Sequence, residues 1–559
     1  MAKVTGSDLL NKALKAEGVD TVFGIAGDHI LHMLDEMYDE DFRMIDFRHE
    51  SGAVHAADSY SRILRRAGVA LSTTPGHANA VPALANAIHS EAPVVNISGS
   101  ADSTNLGRGA MQEFDQVGVA KAVTKGAWQV PSPERIPEFV ALAFRTALSG
   151  RQGPVHLTIP HDFQSAEVDE AAAARYAPRE YSTPRKVLGD PMQVERAIEL
   201  LRSAQRPIIM AGSSAGATAE PSVVQKFVET THIPFVSEDS ARALIPDSHE
   251  YSIGLGYQPL NRAAQRIRDA DVVLMLGKRL DYTLGFGGSP PFAKGVKHII
   301  IDPSAAEIGR ARTVEVGILG DVGPIVEQMA DEAAKHKWTR HNDWVTSLKN
   351  DYDRWVEDLH ELASASDPMH PMFVSETLQK FIDDDTHISY DGGDYCHFLR
   401  ASIKRNKPYR FHNVSSFGMI GVGLPYALGA QVALPGKKVV LSVGDGSFGF
   451  NGMEVDTMVR HKLPVKMFIG NNSIWGIDWQ IQKGLYGRPV WTDLLPTRYD
   501  LVAQGLGAYG EHVTSHEQLE GAMKRAFEHD GPALVNIDIA QIISPVAEAA
   551  ISRKLGSHG

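Results

Sequence analysis

Apolar and polar positions along this chain fall into short blocks that switch between two periods. Up to about residue 165, β-rich runs such as TVFGI, AGVALSTT, APVVNISGS and PVHLTIP are separated by stretches with helical spacing, AVPALANAIHS among them. This alternation predicts parallel α/β layers, because crossover helices return each strand to the sheet in the same direction. A polar, proline-containing stretch, ARYAPREYSTPRKVLGDP, interrupts the pattern near residues 170–190 and reads as a linker. The alternation restarts with RPIIMAG, IPFVSED, ADVVLMLG and VKHIIIDPS, each run closing on Gly, Asp or Ser, where the ligand crevice of an open sheet lies. The segment KHKWTRHNDWVTSLKNDYDRWVEDLH is charged, aromatic and helical in period, and it leads into a third alternating block. The expected fold is α/β, with three doubly wound parallel-sheet domains over residues 1–170, 190–335 and 370–540 and a C-terminal tail or lid over 541–559.

Composition narrows the partners. Sixty-eight acids and 55 bases, a formal net charge of −13, are scattered without long blocks, which argues against a nucleic-acid groove or a membrane patch. No apolar run approaches the roughly 20 residues of a spanning helix. The opening MAKVTGSDLLNKALKAEGVD reads as an amphipathic helix without a secretory core. One cysteine, Cys396, excludes an internal disulfide framework. A soluble, cytoplasmic protein acting on a small molecule is expected.

Chemistry enters at KKVVLSVGDG, NGMEVDTMVRHKL and PVKMFIGNN, which read as strand, helix and strand. A parallel crossover puts the carboxyl ends of both strands at one sheet edge, bringing Asp445 and Asn472 together. Two hard oxygen ligands suit Mg²⁺, whose shell is completed by water and a phosphate, and Gly444 and Gly446 let the backbone approach that anion. Either turn alone is commonplace, whereas the pair across a βαβ unit is specific. On these residues the chain resembles the thiamine-diphosphate enzyme superfamily. The resemblance implies that Asp445, Asn472 and the Ile474 carbonyl bind Mg²⁺, with Gly446 and Ser447 near the diphosphate.

A distant second match is FRHESGAVHAADSYSR, which places Glu50 where the superfamily carries the carboxylate that activates the aminopyrimidine ring. In SSFGMIGVGLPYALGA, the resemblance makes Ile420 the residue that bends the cofactor and Gly418 the backbone acceptor for its amino group. It also implies a homodimer or homotetramer with the cofactor at a subunit interface. Where many relatives carry Gln-His or Ala-Asn, DGGDYCHFLR offers Asp394 and Tyr395, and an acid beside a diphosphate is unfavourable unless turned away.

The substrate signals diverge. GAMQEFDQVGVAKAVTKGAWQV and GKRLDYTLGFGG resemble segments of 2-hydroxyacyl-CoA lyases, the latter also of oxalyl-CoA decarboxylases, with Lys278 and Asp281 as departures. NNSIWGIDWQIQKGLYG has the spacing of acetolactate synthases, placing Ile477 and Ile481 toward substrate. Lys278, Arg279, Arg553 and Lys554, with Lys404 and Arg405, are candidate partners for CoA phosphates, against the plainer reading of solvated surface charge. IIIDPSAAEIGR and ILGDVG resemble nucleotide-holding segments, so Asp302 and Asp321 are candidates for ADP or FAD. Asp28 and His29 in FGIAGDHILHMLDE, His77 in TTPGHANAV and Gln112 are expected to form a polar wall that handles protons. The leading expectation is a lyase that cleaves a 2-hydroxyacyl-CoA to formyl-CoA and an aldehyde or ketone. The alternatives are acetolactate synthase, another 2-keto-acid decarboxylase or carboligase, oxalyl-CoA decarboxylase, and a catalytically silent regulatory subunit, which would be expected to lack Glu50 or Asp445.

Overall fold

The computed structural model describes residues 3–178 and 186–556. The expected linker lies partly outside these residues, as do the last three positions of the tail. The chain forms two compact units. One gathers the chain up to the linker with Val414–Pro435 and Asn451–Leu463, and the other gathers the remainder.

The first unit is built on a six-stranded sheet in the order Arg43–Asp46, Thr21–Gly24, Gly68–Ser72, Val94–Ser100, Val155–Pro160, Ala127–Gln129. Every neighbouring pair is parallel. Strands Gly68–Ser72, Val94–Ser100 and Val155–Pro160 are buried along their whole length because helices cover both faces. The opening is not a helix from its start: Lys3–Thr5 pairs antiparallel with Glu167–Asp169. The helix Gly6–Ala16 follows, begun by a capping box between Thr5 and Asp8. Helix Glu50–Leu64 packs against helix Gly423–Ala433, and Gly429 lies where a Cβ would come within 2.2 Å of the Ala56 carbonyl oxygen.

The second unit holds two six-stranded parallel sheets. One runs Ser252–Leu255, Phe235–Ser237, Pro207–Ala211, Val272–Leu276, Lys297–Asp302, Val316–Leu319. The other runs Phe411–His412, His387–Asp391, Val439–Gly444, Lys466–Asn471, Ala533–Asp538, Tyr509–Val513. The chain therefore has the three parallel-sheet α/β layers that its periodicity predicts. The charged aromatic segment forms helix Asn342–Glu361, burying Trp344, Leu348, Tyr352, Val356 and Leu359 at helical spacing. Among the described residues no helix is long and apolar enough to cross a membrane.

Candidate active site

In the second unit, strands Val439–Gly444 and Lys466–Asn471 pair in parallel with Gly444 opposite Gly470, so Asp445 and Asn472 leave neighbouring strands at the same edge. The helix Asp445–Asn451 starts at the acid itself. Asp445 is 2 % exposed. Burial raises its carboxyl pKa to about 6, and the N–H groups of Gly446 and Ser473 partly oppose that. Its Oδ2 is buried and has no hydrogen-bond partner. A buried carboxylate oxygen left unpaired is costly unless a ligand completes it, and an oxygen of this kind fits a hard cation.

The turn on the neighbouring strand faces this carboxyl through the Ser473 N–H. Ser473 adopts a left-handed backbone conformation, φ 57°. Asn472 Oδ1 accepts from the Ile474 N–H at 3.3 Å, and the Asn472 carbonyl accepts from Gln541 Nε2 at 3.0 Å. A Cβ on Gly446 would come within 2.6 Å of the Trp475 ring, so only glycine allows this approach. Ser447 is buried beside it.

Asp394 is buried against Gly476, whose Cβ would stand 3.1 Å from its Oδ2. Burial raises its pKa to about 6, with Ser544 partly opposing. Tyr395 packs beneath Gly470, where a Cβ would meet its ring at 2.4 Å, and is a core residue. Ile477 sits against Gly393 and Ile481 is half-buried, both on helix Gly476–Tyr486. Arg553 and Lys554 are exposed on the last turn of helix Pro545–Gly556.

Lys278 departs from the expected surface cation. It is 3 % exposed, with its ammonium 2.6 Å from Glu238 and 2.7 Å from Asp281. Burying a lysine requires counter-charges, and the chain itself provides two. Arg279 lies 3.3 Å from Glu307. Asp302 is fully buried, with Oδ1 accepting the Ser304 N–H at 2.9 Å. Asp321 Oδ2 accepts the Val187 N–H at 2.8 Å.

In the first unit, Glu50 opens helix Glu50–Leu64 and is half-buried. Asn79 Nδ2 donates to its Oε2 at 3.0 Å, and Gly76 leaves the space its Oε1 occupies, since a Cβ there would come within 2.6 Å. Gly418 has φ +73° and open space on its Cβ side, and Ile420 is half-buried nearby in the chain.

The expected polar wall is divided. His29 Nδ1 and Gln116 Nε2 both meet the Thr74 hydroxyl, at 3.1 and 3.2 Å. His77 instead lies in the core, stacked on His156 with ring centroids 3.9 Å apart and bonded to Asn96. Burial lowers its pKa to about 4, so it is neutral at physiological pH. Asp28 and Gln112 are exposed. Helix Thr74–Ser90 turns His77 toward the sheet, which is why the four residues do not form one surface. Sequence reasoning missed Asn79, Thr74 and Gln116. The first two lie near Gly76 and His77, whereas Gln116 opens the short helix Gln116–Lys121 after the loop that carries Gln112, and no local spacing flags it.

Comparison with known proteins agrees with this geometry. Three family models match in chain order: the thiamine pyrophosphate enzyme N-terminal TPP binding domain over residues 4–119, the central domain over 194–329 and the C-terminal TPP binding domain over 391–537. The chain belongs to the thiamine pyrophosphate enzyme family. Among its relatives, a probable acetolactate synthase of Mycobacterium bovis is 34% identical over 95% of this chain and 94% of its own length. An oxalyl-CoA decarboxylase of Escherichia coli is 30% identical over 97% of this chain and 95% of its own. A 2-hydroxyacyl-CoA lyase of Oryza sativa is 30% identical over 99% and 97%.

Proposed function

We propose that this chain is a thiamine-diphosphate- and Mg²⁺-dependent carbon–carbon lyase that cleaves a 2-hydroxyacyl-CoA thioester to formyl-CoA and an aldehyde or ketone. The observation that carries its cofactor chemistry is the buried, unpartnered Asp445 Oδ2 beside the Asn472–Ile474 turn. The bound cofactor supplies a carbon nucleophile and an electron sink for breaking a bond next to a carbonyl. Asp445, Asn472 and the Ile474 carbonyl would hold the cation, with Gly446 and Ser447 beside the diphosphate. Glu50, steadied by Asn79, would hold a proton at the pyrimidine nitrogen. Ile420 and Gly418 would shape and receive the ring.

The lyase reading rests on the loop that carries Gln112. Glu113 folds back to accept the N–H groups of Gly109 and Ala110, each at 3.0 Å, which ties the loop and leaves Gln112 exposed with φ 58°. Gln112 is thereby free to meet a substrate hydroxyl, with Asp28 and His29 as further proton carriers; burial lowers the His29 pKa, favouring a neutral ring able to accept a proton. Ile477 and Ile481 would line the acyl side. Arg553 and Lys554 would meet the CoA phosphates, whereas Lys278 is already satisfied by Glu238 and Asp281 and Arg279 is paired with Glu307. For ADP or FAD, Asp302 and Asp321 each already accept one backbone N–H through a single oxygen, from Ser304 and Val187, so neither is added to the proposal. The active unit proposed is a homodimer or homotetramer sharing the cofactor between copies, in the reducing cytoplasm expected from a lone, buried cysteine.

The test is a substrate panel with added thiamine diphosphate and Mg²⁺. Formyl-CoA released from 2-hydroxyacyl-CoA thioesters is the expected result. Consumption of pyruvate with the thioesters left untouched would hand the reading to acetolactate synthase, the activity named for the 34%-identical relative. Turnover of oxalyl-CoA alone would hand it to the decarboxylase.

A further inference from the structure

The short segment that presents Glu50 is gripped from a distant part of the sequence. Within the first unit, Glu454 opens helix Glu454–Arg460 and is 1 % exposed. Its Oε1 accepts the N–H groups of Arg48 and His49, both at 3.1 Å, and its Oε2 accepts the Thr457 hydroxyl at 2.7 Å. These are the two peptide N–H groups immediately before Glu50. Further out, Arg460 and His461 hold Asp46, with Arg460 Nη1 at 2.5 Å from Asp46 Oδ2 and His461 Nε2 at 2.7 Å from Oδ1. Those outer pairs are solvent-exposed and individually weak. The inner one is buried and takes two successive peptide N–H groups at once, so it dominates the hold.

Gly52 completes the arrangement. A Cβ there would stand 2.8 Å from Glu454 Oε1 and 3.1 Å from the Phe47 ring, so the glycine two residues after Glu50 is what lets the carboxylate seat. An acid in the first turn favours the start of helix Glu454–Arg460, yet that role does not require burying it. An apolar residue would fill the space without burying a carboxyl group; burial raises the Glu454 pKa to about 7, with Thr457 and the Arg48 and His49 N–H groups partly opposing.

We infer that Glu454 is a positioning residue for Glu50: its carboxylate fixes the Arg48–His49 peptides and so sets the height and direction from which Glu50 meets the pyrimidine ring. This rests on the reading of Glu50 as the cofactor's activating acid. The effect acts through geometry, and a displacement of an ångström at such a contact costs up to about 100-fold in rate.

The test compares wild type with Glu50→Gln, Glu454→Met, Glu454→Gln and Thr457→Val proteins saturated with thiamine diphosphate and Mg²⁺. Exchange of the thiazolium C2 proton for deuterium is followed by quenched-flow NMR, and cofactor affinity by tryptophan fluorescence. Glu50→Gln is expected to slow exchange about 100-fold or more. Glu454→Met, which fills the space without an acceptor, is expected to slow it about tenfold with affinity changed by no more than about threefold. Glu454→Gln is expected to stay near wild type, since its amide oxygen can keep both peptide N–H groups while its NH₂ donates to the Thr457 hydroxyl. Thr457→Val is expected to fall between. Wild-type exchange in Glu454→Met, or Gln as impaired as Met, overturns the inference. Should Glu454→Met fail to fold, unchanged exchange in Thr457→Val overturns it instead. Wild-type exchange in Glu50→Gln would show that the assignment of Glu50 itself is wrong.

Discussion

The two sheets of the second unit share strand number and direction, yet their carboxyl edges are in opposite chemical states. At the edge that follows Val439–Gly444, Asp445 is buried with Oδ2 unpartnered, and the Asn472–Ile474 turn faces it. At the edge of the central sheet, Lys278 is neutralised by Glu238 and Asp281, Asp321 holds Val187, and Asp302 receives Ser304. An open parallel sheet provides a crevice in both places. What separates a ligand site from a sealed edge is whether the chain has already used its own polar groups. The sealed edge stabilises the fold, while the open one carries an uncompensated desolvation cost that the proposed cation would offset.

That contrast can be broken most forcefully at Asp445. Replacement by Ala is expected to weaken Mg²⁺-thiamine diphosphate binding by about 100-fold, measured by calorimetry. The cofactor-free protein should at the same time become more stable by about 1–2 kcal/mol in urea, because an unpaired buried carboxylate has been removed. Loss of stability would instead mark Asp445 as a structural anchor and erase the distinction between the edges.

Lys278→Met should do the reverse, costing about 3 kcal/mol of stability by stranding two carboxylates and leaving cofactor affinity unchanged. Burial opposes ionisation of Asp281, yet Lys278 holds its pKa below the ordinary carboxylate range. The contribution of that pair is therefore present above about pH 4 and fades as pH falls through the depressed value. Urea midpoints of wild type and variant should accordingly converge in acid.

Smaller effects sharpen the comparison. Asp321→Ala is expected to cost about 1 kcal/mol, seen as faster amide exchange at Val187, without altering cofactor binding. Arg553→Ala with Lys554→Ala should raise the Michaelis constant for a CoA thioester by no more than about fivefold, since both side chains are solvated. No change at all would return them to plain surface charge.

Much of this arrangement is legible in sequence because it follows from local pattern. VVLSVG and KMFIGN are apolar enough to be covered on both faces, and a parallel crossover obliges their following residues to share an edge. The role proposed for Glu50 is read from its surrounding motif. The expected polar wall is not, because whether His77 looks into a pocket or into the core depends on helix rotation, and stacking on His156 settles that rotation. Lys278 misleads for a related reason, since its two counter-charges come from residues at different distances along the chain.

The sequence by itself determined the three α/β layers, the acid and amide at one sheet edge, and the family, since these rest on hydrophobic period and on motifs contiguous in the chain. Only the tertiary structure decided which polar groups are already satisfied. It left Asp445 open, closed Lys278 and Asp321, and laid Glu454 under the peptides before Glu50. The physical reason is that burial and hydrogen-bond partnership are properties of neighbours brought together by folding, and no local pattern encodes them.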